Sequence, residues 1–219
     1  YHHQGRLQRQ IAKLDPAEDC YKKAIARWEQ LLKENANDAS RQAGLARSLL
    51  GLGNVYMDKG KLEQAESLYA TSLEMRKSLA AAQPASAEVQ RDLAVTHNNR
   101  AVLIRRLRKD PSAEYRSAIA IQQKLVETYP HISQYQDDLA RTHYLLGLQQ
   151  AQTGASTDPK TGLPEAERLW IALCARHPAH TDYQKMLAET RTALRSASRA
   201  QAEQAVAEQR KLAAKHKDD

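Results

Sequence analysis

The chain has 219 residues, with 33 Lys and Arg against 26 Asp and Glu, a formal net charge of +7. That surplus is thinner than a dedicated nucleic-acid surface requires, and no apolar run approaches the roughly 18 residues of a membrane span. Phe is absent, Gly and Pro number only 8 and 7, and the apolar content is mostly Ala and Leu, so an all-α class is expected over sheet.

The first residues, from Tyr1, read as the inside of a helix. They carry neither an initiating Met nor a signal-like apolar segment, so an excerpt of a longer protein is expected. A helix around Tyr21 follows. Amphipathic periodicity then predicts a helix over about 39–58, a turn at Asp58-Lys59-Gly60-Lys61, and a helix over about 61–82. Further helices are predicted over about 86–108, 111–128 and 132–153. The next is irregular. Leu163 keeps the spacing of the earlier tyrosines, but Gly162 and Pro164 interrupt helix there. The preferred reading gives Trp170 the aromatic role, with a long loop from Gly154 to Gly162 and a helix two turns shorter. From about Thr181 a last helix runs through Ala-rich, charged sequence to Lys215. Beyond Leu194 its large apolar residues are only Val206 and Leu212, as suits a solvated cap with a frayed KHKDD end rather than a coiled-coil strand.

These elements form a repeat. Leu-Ala pairs stand at Leu45-Ala46, Leu93-Ala94, Leu139-Ala140 and Leu187-Ala188, spaced by 48, 46 and 48 residues. Ala36, Pro84, Pro130 and Pro178 precede each pair by nine residues, and Tyr21, Tyr69 and Tyr115 keep the same period. Gly5, Gly53, Ala101 and Gly147 add small residues at one register. Each period holds a first helix, A, and a second, B. Residues 1–195 are thus expected to form a repeat array with an incomplete first helix A, and 196–219 a helical extension and tail.

The stretch Leu52-Gly53-Asn54-Val55-Tyr56, with Gly60, Ala65, Tyr69, Ser72 and Leu73, resembles the tetratricopeptide repeat signature. The resemblance implies a right-handed α-α superhelix of antiparallel helix pairs, in which small residues let A and B approach and tyrosines fill the space between hairpins. The period exceeds the usual repeat length. Asp92-Leu93-Ala94-Val95-Thr96-His97-Asn98-Asn99 and Asp138-Leu139-Ala140-Arg141-Thr142-His143 are similar to long repeats appended to bacterial serine/threonine protein kinases. The 219 residues carry none of the kinase motifs.

The family resemblance implies a scaffold that binds a protein or peptide on the concave face of the A helices. Carrying the inward positions over nominates His2, Arg6, Arg9, Arg47, Asn54, Asn98, Asn99, Arg105, Arg141 and Tyr144. The five arginines favour an acidic or C-terminal segment as ligand. Some tetratricopeptide domains clamp a C-terminal carboxylate. Asn54, Asn99 and Arg141 fall on matching positions of that clamp, but Leu50 and Leu145 remove other donors. The rival assignment is a regulatory or self-associating module of a multidomain kinase. No cofactor or metal is expected, since the eight histidines lack partners at ligand spacing. His97 and His143 share one register and are expected to face neighbouring helices. The run Arg105-Arg106-Leu107-Arg108-Lys109 has no interleaved aromatics, which argues against nucleic acid and for a solvated helix end. Cys20 and Cys174 lie far apart, as free thiols of the cytoplasm do.

Overall fold

The computed structural model describes residues 1–10, 12–154 and 161–215, with backbone only at 205 and 208–215. Among these the chain is all-helical: α1 (His2–Gln10), α2 (Leu14–Glu34), α3 (Ala39–Asp58), α4 (Leu62–Ala82), α5 (Ala87–Arg106), α6 (Ser112–Thr128), α7 (Ser133–Thr153), α8 (Gly162–Arg176) and α9 (Thr181–Lys215). The bounds of α3 to α7 fall within two residues of the expected ones. The proposed loop from Gly154 to Gly162 and the frayed tail lie mostly outside the described residues. No described helix is long and apolar enough to cross a membrane.

Local chemistry starts and stops these helices. The Asp38 side chain accepts the Arg41 N–H at 3.0 Å, and Ser86 accepts from Val89 at 3.4 Å, each capping a helix A. The ends of the A helices share one device. Ala12, Gly60, Arg108 and Gly154 all have positive φ, at 56°, 74°, 59° and 67°, and stand one repeat apart. At the first three, the next residue's N–H returns to the carbonyl five residues back: Lys13 to Gln8, Lys61 to Tyr56 and Lys109 to Ile104. This is the Schellman closure. The backbone imposes it even where the sequence offers Ala12 or Arg108 instead of Gly, whereas the ends at Gly60 and Gly154 were legible from the sequence.

The chain divides into two units, Tyr1–Leu125 and Val126–Asp219. In unit 1, α2 packs on α1 and α3, α4 packs on α3 and α5, and the A helices α1, α3 and α5 are successive neighbours. One cluster joins Ala17, Tyr21, Leu52 and Val55, and the next joins Leu50, Met57, Ala65, Tyr69 and Leu103. The core therefore recurs at each junction, as a stack of helical hairpins requires.

The small residues permit the close crossings. A Cβ on Gly5 would stand 2.9 Å from the Tyr21 ring, and one on Gly53 would stand 2.5 Å from the Tyr69 ring. In unit 2, α8 packs between α7 and α9. A Cβ on Gly147 would lie 2.3 Å from the backbone nitrogen of Leu163. Leu163 is 1 % exposed and takes the place that Tyr21 and Tyr69 hold in unit 1. This corrects the assignment of the aromatic role to Trp170. Trp170 is also fully buried, but it keeps the register of Trp28, with Arg76 and Gln122 between them at the same repeat position. Pro164 does not break α8, because it sits in the first turn, where no intrahelical N–H is lost. The shortening expected of this helix is real and comes from its N-terminal end.

Helix α9 is continuous over 35 residues. Tyr183 and Thr190 are buried, whereas Leu187 is half-buried and Ala188 exposed, because no further described helix of unit 2 covers that side.

Candidate interaction surface

In unit 1 the nominated residues fall on α1, α3 and α5. His2 is half-buried with its ring edge-on to Tyr21, 5.4 Å between centroids. Burial first, then Arg47, His3 and Arg6, push its pKa down to about 4, so it is neutral at pH 7. Arg9 donates from Nε to Asp58 at 2.6 Å, tying α1 to α3. Arg47 donates to Glu88 and Asp92, both at 3.2 Å, tying α3 to α5. Asn54 accepts the buried hydroxyl of Tyr69 at 2.5 Å. Asn98, Asn99 and Arg105 are half-buried on α5, and Arg6 is exposed on α1.

Two of the nominated arginines of this unit thus already hold carboxylates. Arg6 and Arg105 have no ion pair among the described residues. The basic run at the end of α5 is partly structural: Arg106, next to Arg105, donates to the Met57 carbonyl at 2.8 Å.

In unit 2, Arg141 donates to Asp137 at 3.0 Å and lies 5.5 Å from the Trp170 ring centre. Tyr144 lines a shallow groove with Lys185, Glu189 and Thr192 of α9.

The paired histidines share burial but not partners. His97 meets Glu114 through Nδ1 at 2.6 Å, and Arg100 holds the other carboxylate oxygen. The His97 hydrogen bond, with Arg100 adding its charge, holds the Glu114 carboxyl below its usual range. His143 is fully buried, and neither ring nitrogen has a hydrogen-bond partner among the described residues. Burial drives its pKa down to about 4, with Glu165 opposing and Arg168 reinforcing the shift. In the unfolded chain the ring takes a proton near pH 6.5.

The folded state therefore refuses a proton that the unfolded state accepts, and stability falls as pH drops from about 6.5 to about 4, by about 3 kcal/mol at most. Urea denaturation followed through Trp170 at pH 7 and pH 4.5 is expected to show this loss. In His143→Leu the difference is expected to shrink by at least half. An unchanged pH slope would assign the acid sensitivity to other groups.

The structure also assembles a feature that no single residue of the sequence announces. Beside Arg47, residues of α2 to α5 surround a cavity of about 500 Å³, lined by Trp28, Gly44, Arg76, Leu79, Val89 and Asp92. The available signal was the register shared by Trp28 and Arg76, which places a tryptophan and an arginine in equivalent slots.

With this geometry in place, comparison with known proteins gives one family. Residues 46–79 match the tetratricopeptide repeat. The match covers α3 from Ala46 and most of α4, the hairpin in which Gly53 faces Tyr69. No curated protein matches the chain.

Among solved structures, the TPR protein YrrB, described as having an unusual peptide-binding site, is 16% identical over 94% of this chain and 88% of its own, with a TM-score of 0.37. MamA is 19% identical over 92% and 96%, with a TM-score of 0.38. A set of nearly identical TPR-like repeats from Podosopora anserina is 16% identical over 93% and 94%, with a TM-score of 0.48. Among the described residues no group of three or more His, Cys, Asp or Glu is placed to hold a metal ion.

Proposed function

We propose that the chain is a protein-interaction scaffold whose unit 1 binds an acidic peptide segment along the A helices α1, α3 and α5. The observation that carries this reading is the row of half-exposed polar side chains on successive neighbouring A helices, in which Arg6 and Arg105 keep their donors unpaired. Forked guanidinium donors suit carboxylates. Arg9 and Arg47 lie in the same row, and their ion pairs with Asp58 and Glu88 are partly exposed and individually weak, about 0 to 1 kcal/mol. A ligand carboxylate can exchange with them at small cost. Affinity then comes from several such contacts together and falls as salt screens them. On unit 2, Arg141 and Tyr144 offer a second, smaller patch of the same character.

Fluorescence anisotropy with acidic and basic peptide pools tests this. Micromolar binding of the acidic pool is expected, weakening at least ten-fold between low and high salt and lost in an Arg6→Glu, Arg105→Glu variant. Selection of basic or purely apolar peptides, or acidic binding indifferent to the substitutions, would leave these charges as a solvated face. A self-associating kinase module instead predicts a stable dimer in light scattering, where the scaffold reading expects a monomer.

A further inference from the structure

We infer that the cavity bounded by Trp28, Arg47, Arg76, Leu79, Val89 and Asp92 is a specificity pocket for an internal acidic residue flanked by an apolar one in the bound peptide. The inference rests on the acidic-peptide reading and deepens it, because it names where and how one ligand residue is selected.

The repeat sets up a contrast between two junctions. Where α2 meets α3, the Trp28 indole lies against Gly44, so closely that a Cβ there would meet it at 2.6 Å. One repeat later the same two positions are Arg76 and Asp92, joined by a hydrogen-bonded ion pair. An apolar contact at one junction is thus replaced by a charged pair at the next. Arg76 is 1 % exposed, and burying such a pair commonly stabilises no better than apolar packing of the same volume. Stability alone does not explain the exchange.

The donor balance supplies the explanation. A guanidinium carries five N–H donors. The same Asp92 oxygen accepts from both Arg76 and Arg47, while the Nε of Arg76 has no acceptor among the described residues. The further carboxylate at the rim, Glu88, has a side chain 79% exposed and reaches Arg47 only at 3.2 Å. The two arginines and two carboxylates balance in charge, yet the Nε of Arg76 is left without an acceptor and Glu88 is held only at the exposed rim. A ligand carboxylate that displaces Glu88 supplies that acceptor. Trp28, Leu79 and Val89 supply apolar wall for a neighbouring side chain, and a volume of about 500 Å³ is in the range of small-ligand pockets.

The test uses the full chain labelled with 5-fluorotryptophan, whose two fluorine resonances report Trp28 and Trp170 separately. Three probes are added: a peptide with an internal Leu-Glu-Leu and both termini blocked, a Leu-Gln-Leu peptide with a free C-terminal carboxylate, and inorganic phosphate. The first is expected to shift the Trp28 resonance and leave Trp170 in place. Arg76→Met is expected to weaken that peptide about ten-fold or more, as loss of a charge-assisted hydrogen bond does. If Arg76→Met unfolds, the Trp28 shift in the unsubstituted chain decides alone.

Binding of acidic peptides that leaves the Trp28 resonance unmoved overturns the pocket and leaves the groove reading intact. Failure of every acidic peptide to bind overturns both. A Trp28 shift produced equally by the free-terminus peptide or by phosphate overturns the choice of an internal acidic residue.

Discussion

Replacing Tyr69 by Ala is expected to destabilise unit 1 by about 3 to 5 kcal/mol, the cost of truncating a large aromatic in a packed core. Tyr69 is 0 % exposed, lies over Gly53, and belongs to the cluster that joins Leu50 and Met57 of α3, Ala65 of α4 and Leu103 of α5. Its removal opens a void shared by two successive hairpins, and neither can collapse into it without separating from the other. The hydroxyl contributes separately through Asn54, so Tyr69→Phe should cost only about 1 kcal/mol. Urea denaturation followed through Trp28, the tryptophan of unit 1, measures both. A Tyr69→Ala cost no larger than that of Tyr69→Phe would mean that the ring is not a shared core element.

The second large effect is expected from adding a single methyl group, at Gly147→Ala. The nearest atoms to the new Cβ are the Leu163 backbone nitrogen at 2.3 Å and its Cγ at 2.6 Å, followed by the Gly162 carbonyl carbon at 2.9 Å. A side chain could rotate away; a backbone can retreat only by separating α7 from α8. Overpacking ordinarily costs about 1 to 3 kcal/mol, and this contact should reach about 3 kcal/mol or exceed it. Gly60→Ala is the control. Gly60 has φ of 74° and nothing within 4 Å of where a methyl would stand, so only the left-handed backbone penalty of about 1 to 2 kcal/mol applies there. With 5-fluorotryptophan labelling, the Trp170 resonance reports the unit 2 transition and the Trp28 resonance that of unit 1. Equal costs at the two glycines would show that α7 and α8 do not cross on backbone contact.

The consequence for function is positional. The tyrosine-on-glycine contacts set the separation of neighbouring helices in unit 1, and with it the spacing of the side chains that α1, α3 and α5 present. On the proposed scaffold reading, a substitution that loosens a crossing is therefore expected to weaken peptide binding without touching a ligand contact.

How much of this was legible beforehand follows from the kind of interaction involved. Helix bounds were accessible because capping, Gly at a helix end and apolar periodicity act over a few residues, and the 46- to 48-residue period tied distant markers to one register. Close approach of A and B at the small residues was implied by the family resemblance, and the structure realises it as the Gly53–Tyr69 and Gly5–Tyr21 contacts. Side-chain choices across a junction were not legible in this way. Trp170 looked like the missing aromatic because Gly162 and Pro164 argue locally against helix. Yet Leu163 fills the slot, since Gly147 lets the α8 backbone come close enough for a smaller side chain to suffice.

The same limit applies to the surface. The family resemblance placed five arginines among the candidate positions, but only the folded chain shows Asp58 beside Arg9, Asp92 beside Arg47 and Asp137 beside Arg141. Those partners come from other helices or another turn, and pairing depends on distances that no single segment sets. Composition and periodicity determined an all-helical repeat with its hairpins in register, because those properties are local and recurrent. Which charges remain available, which histidine lacks a partner, and where Arg76 and Asp92 replace Trp28 and Gly44 were decided by tertiary packing, because each depends on atoms brought together from separate helices.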